Sequence, residues 1–198
     1  MKEMIFATGN AGKVREIQEI LAGLGITIKS MKEAGIKADI VEDGTTYEEN
    51  SLIKARELVR LTGLPAIADD SGIEIKAMDW GPGIYSARYL GEDTSYDIKN
   101  PIILEKLKGK TGDERAARYV CAAALCLPDG REFTTRAVFD GEIAYEAKGS
   151  NGFGYDPIFY IPSFGKTTAE MSPEEKNEIS HRGKAFRQLR EIIEKEVY

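Results

Sequence analysis

Histidine, cysteine and tryptophan are almost missing: one His, two Cys and one Trp in 198 residues. A lone imidazole, His181, excludes a multi-histidine metal site and speaks against a serine–histidine–acid triad. Cys121 and Cys126 have no further sulfur to complete a zinc site, and both fall in one apolar segment. They read as reduced core side chains rather than as a disulfide. No apolar run approaches the roughly 20 residues that span a bilayer, and the N-terminus lacks a signal-peptide pattern. A cytoplasmic protein without membrane partners is therefore expected. Positive charge is not in excess either: 27 Lys and Arg against 33 Asp and Glu leave a net charge of -6. That balance argues against a protein that coats nucleic acid, although a local group of cations can still hold phosphates. Internal repeats, linkers and low-complexity segments are absent too.

What is present is the composition of a folded globular chain, 42% hydrophobic and 30% charged. Its length suffices for one good core, or for one domain bent into two lobes around a cleft. Residues 4–8 form a short apolar strand, and Val14, Ile17, Leu21 and Leu24 recur at helical spacing up to Gly23 or Gly25. Between them stands Gly9-Asn10-Ala11-Gly12-Lys13. A glycine-bearing turn from strand to helix, with a lysine in the first turn, offers N–H groups and a positive helix end to a phosphate. Its spacing is not that of the P-loop, and many such turns bind nothing. A second strand is expected near 26–29, and Glu42-Asp43-Gly44 brings two acids into a loop. Thr46 and Glu49 fit a capping box for a helix whose apolar face is Leu52, Ala55 and Val59, closed by Gly63 and Pro65. Lys54 and Arg56 on that helix read by default as solvated charge.

The centre of the pattern is residues 65–72, an apolar run ending in Asp69-Asp70-Ser71-Gly72, followed by an alternating run at 73–77. This spacing predicts strand, tight turn, strand. Two accounts fit the acid pair: a solvated hairpin tip, or a metal-binding edge, since adjacent carboxylates stay ionised most easily beside a divalent cation such as magnesium or manganese. Further on, 81–83 reads as a turn, 97–108 as a helix, and 116–127 as a central strand covered on both faces, hairpinned through Pro128-Asp129-Gly130 to a partner over 132–140. Phe153 lies between Gly152 and Gly154, which would keep its ring bare for a flat ligand. Ser172-Pro173-Glu174-Glu175 is a second capping box, and the last helix carries Phe186, Leu189, Ile193 and Val197 as a core stripe. His181 and Arg182 sit at its start, against the helix dipole; such a placement needs a reason, and an anionic or carbonyl-bearing ligand is one. Mixed elements in this order predict an α/β (α+β) domain with a mixed sheet.

Four stretches in this order and spacing, residues 7–13, 68–72, 152–159 and 180–183, closely resemble the inosine triphosphate pyrophosphatase family, the dITP/XTP pyrophosphatases. Glu49-Asn50, 54–56, 82–88 and 174–176 extend the likeness over the whole chain. The resemblance implies one domain of two lobes around a long mixed sheet with a central cleft, and a homodimer. It implies hydrolysis of 6-oxo purine nucleoside triphosphates (ITP, dITP, XTP) to monophosphate and pyrophosphate with magnesium, manganese being the alternative ion. Position by position, it implies that Thr8, Gly9, Asn10, Ala11, Gly12 and Lys13 form the phosphate turn and Lys54 assists them. It places Glu42 and Asp70 as metal carboxylates, with Asp70 also the proton acceptor, and Ser71 as a substrate contact. Phe153, Gly154, Tyr155, Asp156, Lys176, His181 and Arg182 fall at nucleotide-binding positions, Arg182 donating to O6 and Asp156 accepting nearby. Two departures stand out: Asp79-Trp80-Gly81 where relatives often have paired glycines, and Asn151 where glycine is frequent. The rival readings are a pyrophosphatase for another modified nucleotide and a non-catalytic nucleotide-binding module.

Overall fold

The computed structural model describes residues 2–197. Strand β1 (Lys2–Phe6) runs through a short turn into α1 (Ala11–Ile20), and β2 (Ile26–Ser30) returns parallel to β1. Helix α2 (Tyr47–Thr62) begins at the expected box: the Thr46 hydroxyl accepts from Glu49 N–H at 3.1 Å and Glu49 Oε2 reaches back to Thr46 N–H. Gly63 ends it at φ 68°, a left-handed conformation that favours glycine. Then come β3 (Ala66–Ile75), the short β4 (Gly81–Pro82), α3 (Tyr96–Lys106), β5 (Ala116–Cys126) and β6 (Glu132–Ile143). Two short strands, β7 (Phe159–Ile161) and β8 (Lys166–Thr167), precede α4 (Pro173–Ile179) and α5 (His181–Glu196). The strands pair in the order β2-β1-β3-β5-β6-β7-β8, with β4 on β3. Parallel β1–β2 and β1–β3 pairs stand beside antiparallel β3–β4, β6–β7 and β7–β8 pairs, so the sheet is mixed and the class is α/β. Among the described residues no helix is long and apolar enough to cross a membrane.

The chain divides into two compact units, one made of the chain up to Asp70, Cys121–Ala137 and the chain from His181, the other of Ser71–Val120 and Val138–Ser180. In the first unit, strand alternation decides which helix each residue meets. Met4, Phe6, Ile67, Cys121, Ala123 and Leu125 pack with Val14 and Ile17 of α1 and Phe186, Leu189 and Ile193 of α5. Ile5, Ala66, Ala68, Ala124 and Cys126 pack instead with Ala55 and Leu58 of α2. Both cysteines are free and buried, and burial pushes the Cys126 thiol up to about 11. The second unit has its own core, with Ile73, Ile75, Ile103, Tyr119, Phe139, Phe159 and Met171 among its members.

The structure corrects the sequence reading at residues 65–77. No turn interrupts Asp69-Asp70-Ser71-Gly72; β3 is one strand of 10 residues that runs straight through them. The actual reversal comes later, where Gly81 and Pro82, expected to be a turn, form β4 and pair with Ile75 and Glu74. Asp79 and Trp80, at the first departure from the family pattern, adopt φ 52° and 61°. Paired glycines would take that left-handed geometry without steric cost; here the Arg118 guanidinium, 4.6 Å from the Trp80 ring, packs against it.

Candidate functional site

Because Ala66 and Ala68 face α2 while Ile67 faces α1 and α5, alternation sends Asp69 and Asp70 to opposite sides of β3. The acid pair is therefore two sites with different chemistry.

Asp69 is 3% exposed and lies on the α1/α5 side. Its carboxylate accepts from Lys13 Nζ at 3.1 and 3.2 Å and from Arg182 Nε at 3.2 Å, while Arg182 Nη1 lies 3.8 Å from Glu16 Oε2. Burial alone would raise the pKa of Asp69, but Lys13, Arg182 and Lys54 together hold it well below the ordinary carboxylate range. Burial likewise opposes the Arg182 charge, and Asp69 and Glu16 outweigh it, so that pKa is raised. This supplies the anion that the placement of Arg182 at the start of α5 required: it is a side chain of the protein. His181, the first residue of α5, is also buried.

Lys13 leads back to the turn after β1. Asn10 caps α1, its Oδ1 accepting from Gly12 N–H at 2.8 Å and Lys13 N–H at 3.2 Å, and Asn10 N–H donates to the Thr8 hydroxyl at 3.1 Å. Gly9, Asn10, Ala11 and Gly12 are exposed. A Cβ added to Gly9 would meet nothing within 4 Å, so the fold itself does not require glycine there. An exposed capped turn with a lysine on its first helical turn has the chemistry of an anion site.

Asp70 faces α2. Its Oδ2 accepts from Asn50 Nδ2 at 3.1 Å, and Lys54, one turn further along α2, donates to Glu42 Oε2 at 2.8 Å. Burial pushes the Asp70 carboxyl up to about 6; Lys54 and the Asn50 hydrogen bond pull it down, and Glu42 and Asp69 push it up again. Glu42, Lys54 and Asp70 thus form one electrostatic group. Among the described residues no cluster of three or more His, Cys, Asp or Glu side chains forms a metal cage. Two carboxylates without nitrogen or sulfur donors suit magnesium, which keeps several waters and is held by one or two carboxylates together with substrate phosphates. Ser71, the next strand residue, is half-buried and belongs to the second unit.

The aromatic loop lies in the second unit. Phe153 is 56% exposed, with Lys176 Nζ 4.9 Å from its ring centroid. Asp156 is buried, and its carboxylate accepts from Lys176 Nζ (2.5 Å), Phe153 N–H (2.8 Å), the Thr168 hydroxyl (2.9 Å) and the Tyr119 hydroxyl (3.4 Å). A carboxylate has about four lone-pair sites, so this one is used within the loop, fixing both the Phe153 backbone and the Lys176 ammonium. Tyr155 is buried and donates to Ser86 O at 2.7 Å; a ligand would meet its backbone rather than its ring. The glycines have another reason than a bare ring: Gly152 and Gly154 adopt φ 75° and 69°, and a Cβ at Gly152 would stand 2.2 Å from Asp156 Oδ2. Asn151, the second departure, ties the loop down by donating from Nδ2 to Met171 O at 2.9 Å.

Sequence reasoning named Asn50 only as a match to the family, without a role, and passed over Asn100. Asn50 is 1% exposed and links Asp70 to the acidic loop; Asn100, on α3, is 6% exposed and donates to Gly154 O at 3.1 Å. The signal for Asn50 was present: an amide beside Tyr47, Ala55 and Leu58 on the inward stripe of α2 must have partners, because buried polar groups are hydrogen-bonded.

Known proteins carry the same arrangement of chain. The dITP/XTP pyrophosphatase of Exiguobacterium sibiricum is 46% identical over 187 residues, 94% of each chain. That of Thermus thermophilus is 46% identical over 189 residues, covering 96% of this chain and 90% of its own. In solved structures, a HAM1 protein from Coxiella burnetii superposes with a TM-score of 0.91 at 42% identity over 98% of this chain and 100% of that one. The Staphylococcus aureus Ham1 protein gives 0.89 at 38% identity over the same shares. The Ham1 family model matches residues 4–192, a span that takes in the capped turn, both acids of β3, the aromatic loop and α5, and the chain therefore belongs to the Ham1 family.

Proposed function

We propose that this protein hydrolyses non-standard purine nucleoside triphosphates (dITP, ITP and XTP) to the monophosphate and pyrophosphate, with magnesium as its cofactor, as a cytoplasmic homodimer. The observation that carries the reading is the division of the acid pair. Asp69 is neutralised by Lys13 and Arg182, whereas Asp70 stands with Glu42 and Lys54 and keeps a raised pKa. The names of the relatives, dITP/XTP pyrophosphatases at 43–46% identity over nearly their whole length, support the substrate class.

In this reading Glu42 and Asp70 would hold magnesium, which when bound would lower the pKa of a bound water and shield phosphate charge. The turn of Thr8, Gly9, Asn10, Ala11, Gly12 and Lys13, exposed from Gly9 to Gly12, takes the triphosphate through backbone N–H groups and the helix end, and Lys54 adds a positive charge. Asp70 also orients the water that attacks the α phosphorus and accepts its proton. Ser71, beside it on the strand, contacts the substrate. Lys13 and Lys54 stabilise the pyrophosphate as charge gathers on it.

The base is read by donors. Lys and Arg side chains can only donate, so Arg182 suits the O6 acceptor of hypoxanthine and xanthine and leaves the 6-amino group of adenine unmatched; Lys176, held in place by Asp156, and His181 are further nucleotide contacts. Phe153 stacks on the base, and Gly154 and Tyr155 give the loop its shape. The test is a panel of dITP, XTP, dGTP and dATP, assayed for pyrophosphate and for orthophosphate with magnesium and with excess chelator. Pyrophosphate from dITP and XTP, abolished by chelator, is expected. Orthophosphate as the product, equal use of dATP, or binding without turnover refutes the reading.

A further inference from the structure

Asn50, buried on α2, joins Asp70 to the backbone of the loop that carries Glu42. Its Nδ2 donates to Asp70 Oδ2 at 3.1 Å, and its Oδ1 accepts from Gly44 N–H at 2.9 Å. Gly44 follows Glu42 by two residues, and the approach is close: a Cβ on Gly44 would lie 2.7 Å from Asn50 Oδ1 and 2.7 Å from Glu49 Cβ. The amide is itself well fixed. It sits in the first turn of α2, where Asn50 N–H donates to Thr46 O at 3.1 Å, behind the capping box of Thr46 and Glu49. Glu49 Oε2 fastens the same segment through Thr45 N–H at 2.6 Å and the Thr45 hydroxyl at 2.7 Å. The two ends of one rigid amide therefore set the rotation of the Asp70 carboxylate and the course of the loop that carries Glu42.

We infer that Asn50 is a positioning residue for the metal carboxylates: it acts through Asp70 and the Glu42 loop and sets their spacing for a divalent cation. This rests on the magnesium reading above. An amide suits both tasks, since one end donates to a carboxylate while the other accepts from a backbone N–H. Partners of this kind behind metal ligands are worth about 10–100-fold in metal affinity or activity.

The test compares wild type, Asn50→Ala, Asn50→Asp and a matched control, Ser51→Ala. Ser51 is the next residue on α2, fully buried, and donates to Tyr47 O at 2.6 Å and Ala122 O at 2.9 Å without touching either acid. Mn2+ alone is titrated and its free signal followed by electron paramagnetic resonance, alongside thermal melting and dITP turnover. Expected for Asn50→Ala is a Kd for Mn2+ raised about 10–100-fold, while Ser51→Ala, with a comparable loss of Tm, binds Mn2+ as wild type does. Asn50→Asp keeps an oxygen for Gly44 N–H but turns a carboxylate toward Asp70, so its kcat at saturating Mn2+ should fall at least about tenfold even if Asn50→Ala does not fold. Native Mn2+ affinity in a folded Asn50→Ala, or native kcat in Asn50→Asp, overturns the inference. A wild type that binds no Mn2+ overturns the metal reading as well.

Discussion

Replacing Asp69 by Asn keeps the shape of the side chain and removes one charge from a buried group. In the native protein that charge faces Arg182, whose side chain is 8% exposed, and Lys13, whose side chain is 24% exposed. Lys13 can turn toward water, and Glu16 still lies 3.8 Å from Arg182. Breaking a buried pair from one side costs about 3–5 kcal/mol, and the remaining Glu16 and the mobility of Lys13 place this case near 3 kcal/mol. For a chain of this size that lowers Tm by about 6–12 °C. The pH dependence gives the sign. The folded pKa of Asp69 is depressed, so its contribution is complete above the unfolded value of about 3.9 and is lost as pH falls toward the folded one, at about 1.4 kcal/mol per pH unit. Urea unfolding of wild type and Asp69→Asn should therefore differ by about 3 kcal/mol at pH 7, and the gap should narrow steadily below about pH 4. A difference under about 1 kcal/mol at pH 7, or a gap unchanged at pH 3, would show that the carboxylate is not the anion holding α1 and α5 to β3.

The neighbouring acid should behave in the opposite way. Burial raises Asp70 to about 6, so the stability associated with its protonated form is present at low pH and lost as pH rises through that value. Asp70→Asn, melted at pH 8 without metal, should be at least as stable as wild type, yet lose about 100-fold or more in kcat; a lower Tm with turnover kept would reverse the two roles. Gly152→Ala forces a Cβ into the Asp156 carboxylate at a left-handed φ, and should raise KM for every triphosphate about tenfold or more with Tm lowered by only a few degrees. Native KM would mean that the loop does not carry the base. Phe153→Ala, at an exposed ring, should leave Tm unchanged and weaken all bases alike, by about 1–3 kcal/mol of stacking; a loss confined to one base in the KM values would contradict stacking.

Much of this was legible where the signal is local. The capping boxes at Thr46 and Ser172, the glycine stop at Gly63 and the buried run of β5 follow from neighbours within a few residues, and the structure has each of them. The course of β3 was not legible, for a physical reason. Asp-Asp-Ser-Gly has turn composition, yet it is a strand between β1 and β5, with Lys13 of α1, Arg182 of α5 and Asn50 of α2 brought to the two carboxylates. Those partners lie 56, 113 and 20 residues away in the chain. The reason for Gly152 was hidden by the fold of its own loop: what it makes room for is Asp156 and Lys176, not the face of Phe153. The alternation of strand residues already separated Asp69 from Asp70 in the sequence, with the metal assigned to Asp70 and Asp69 left as a structural acid, and the structure puts the two on opposite sides of β3.

Turnover of dITP in water enriched in oxygen-18, with magnesium and analysis of both products by mass spectrometry, tests the proposed chemistry most directly. Attack at the α phosphorus, with Asp70 aligning the water, places the label in the monophosphate and none in the pyrophosphate. Label in pyrophosphate, or in orthophosphate, would contradict it.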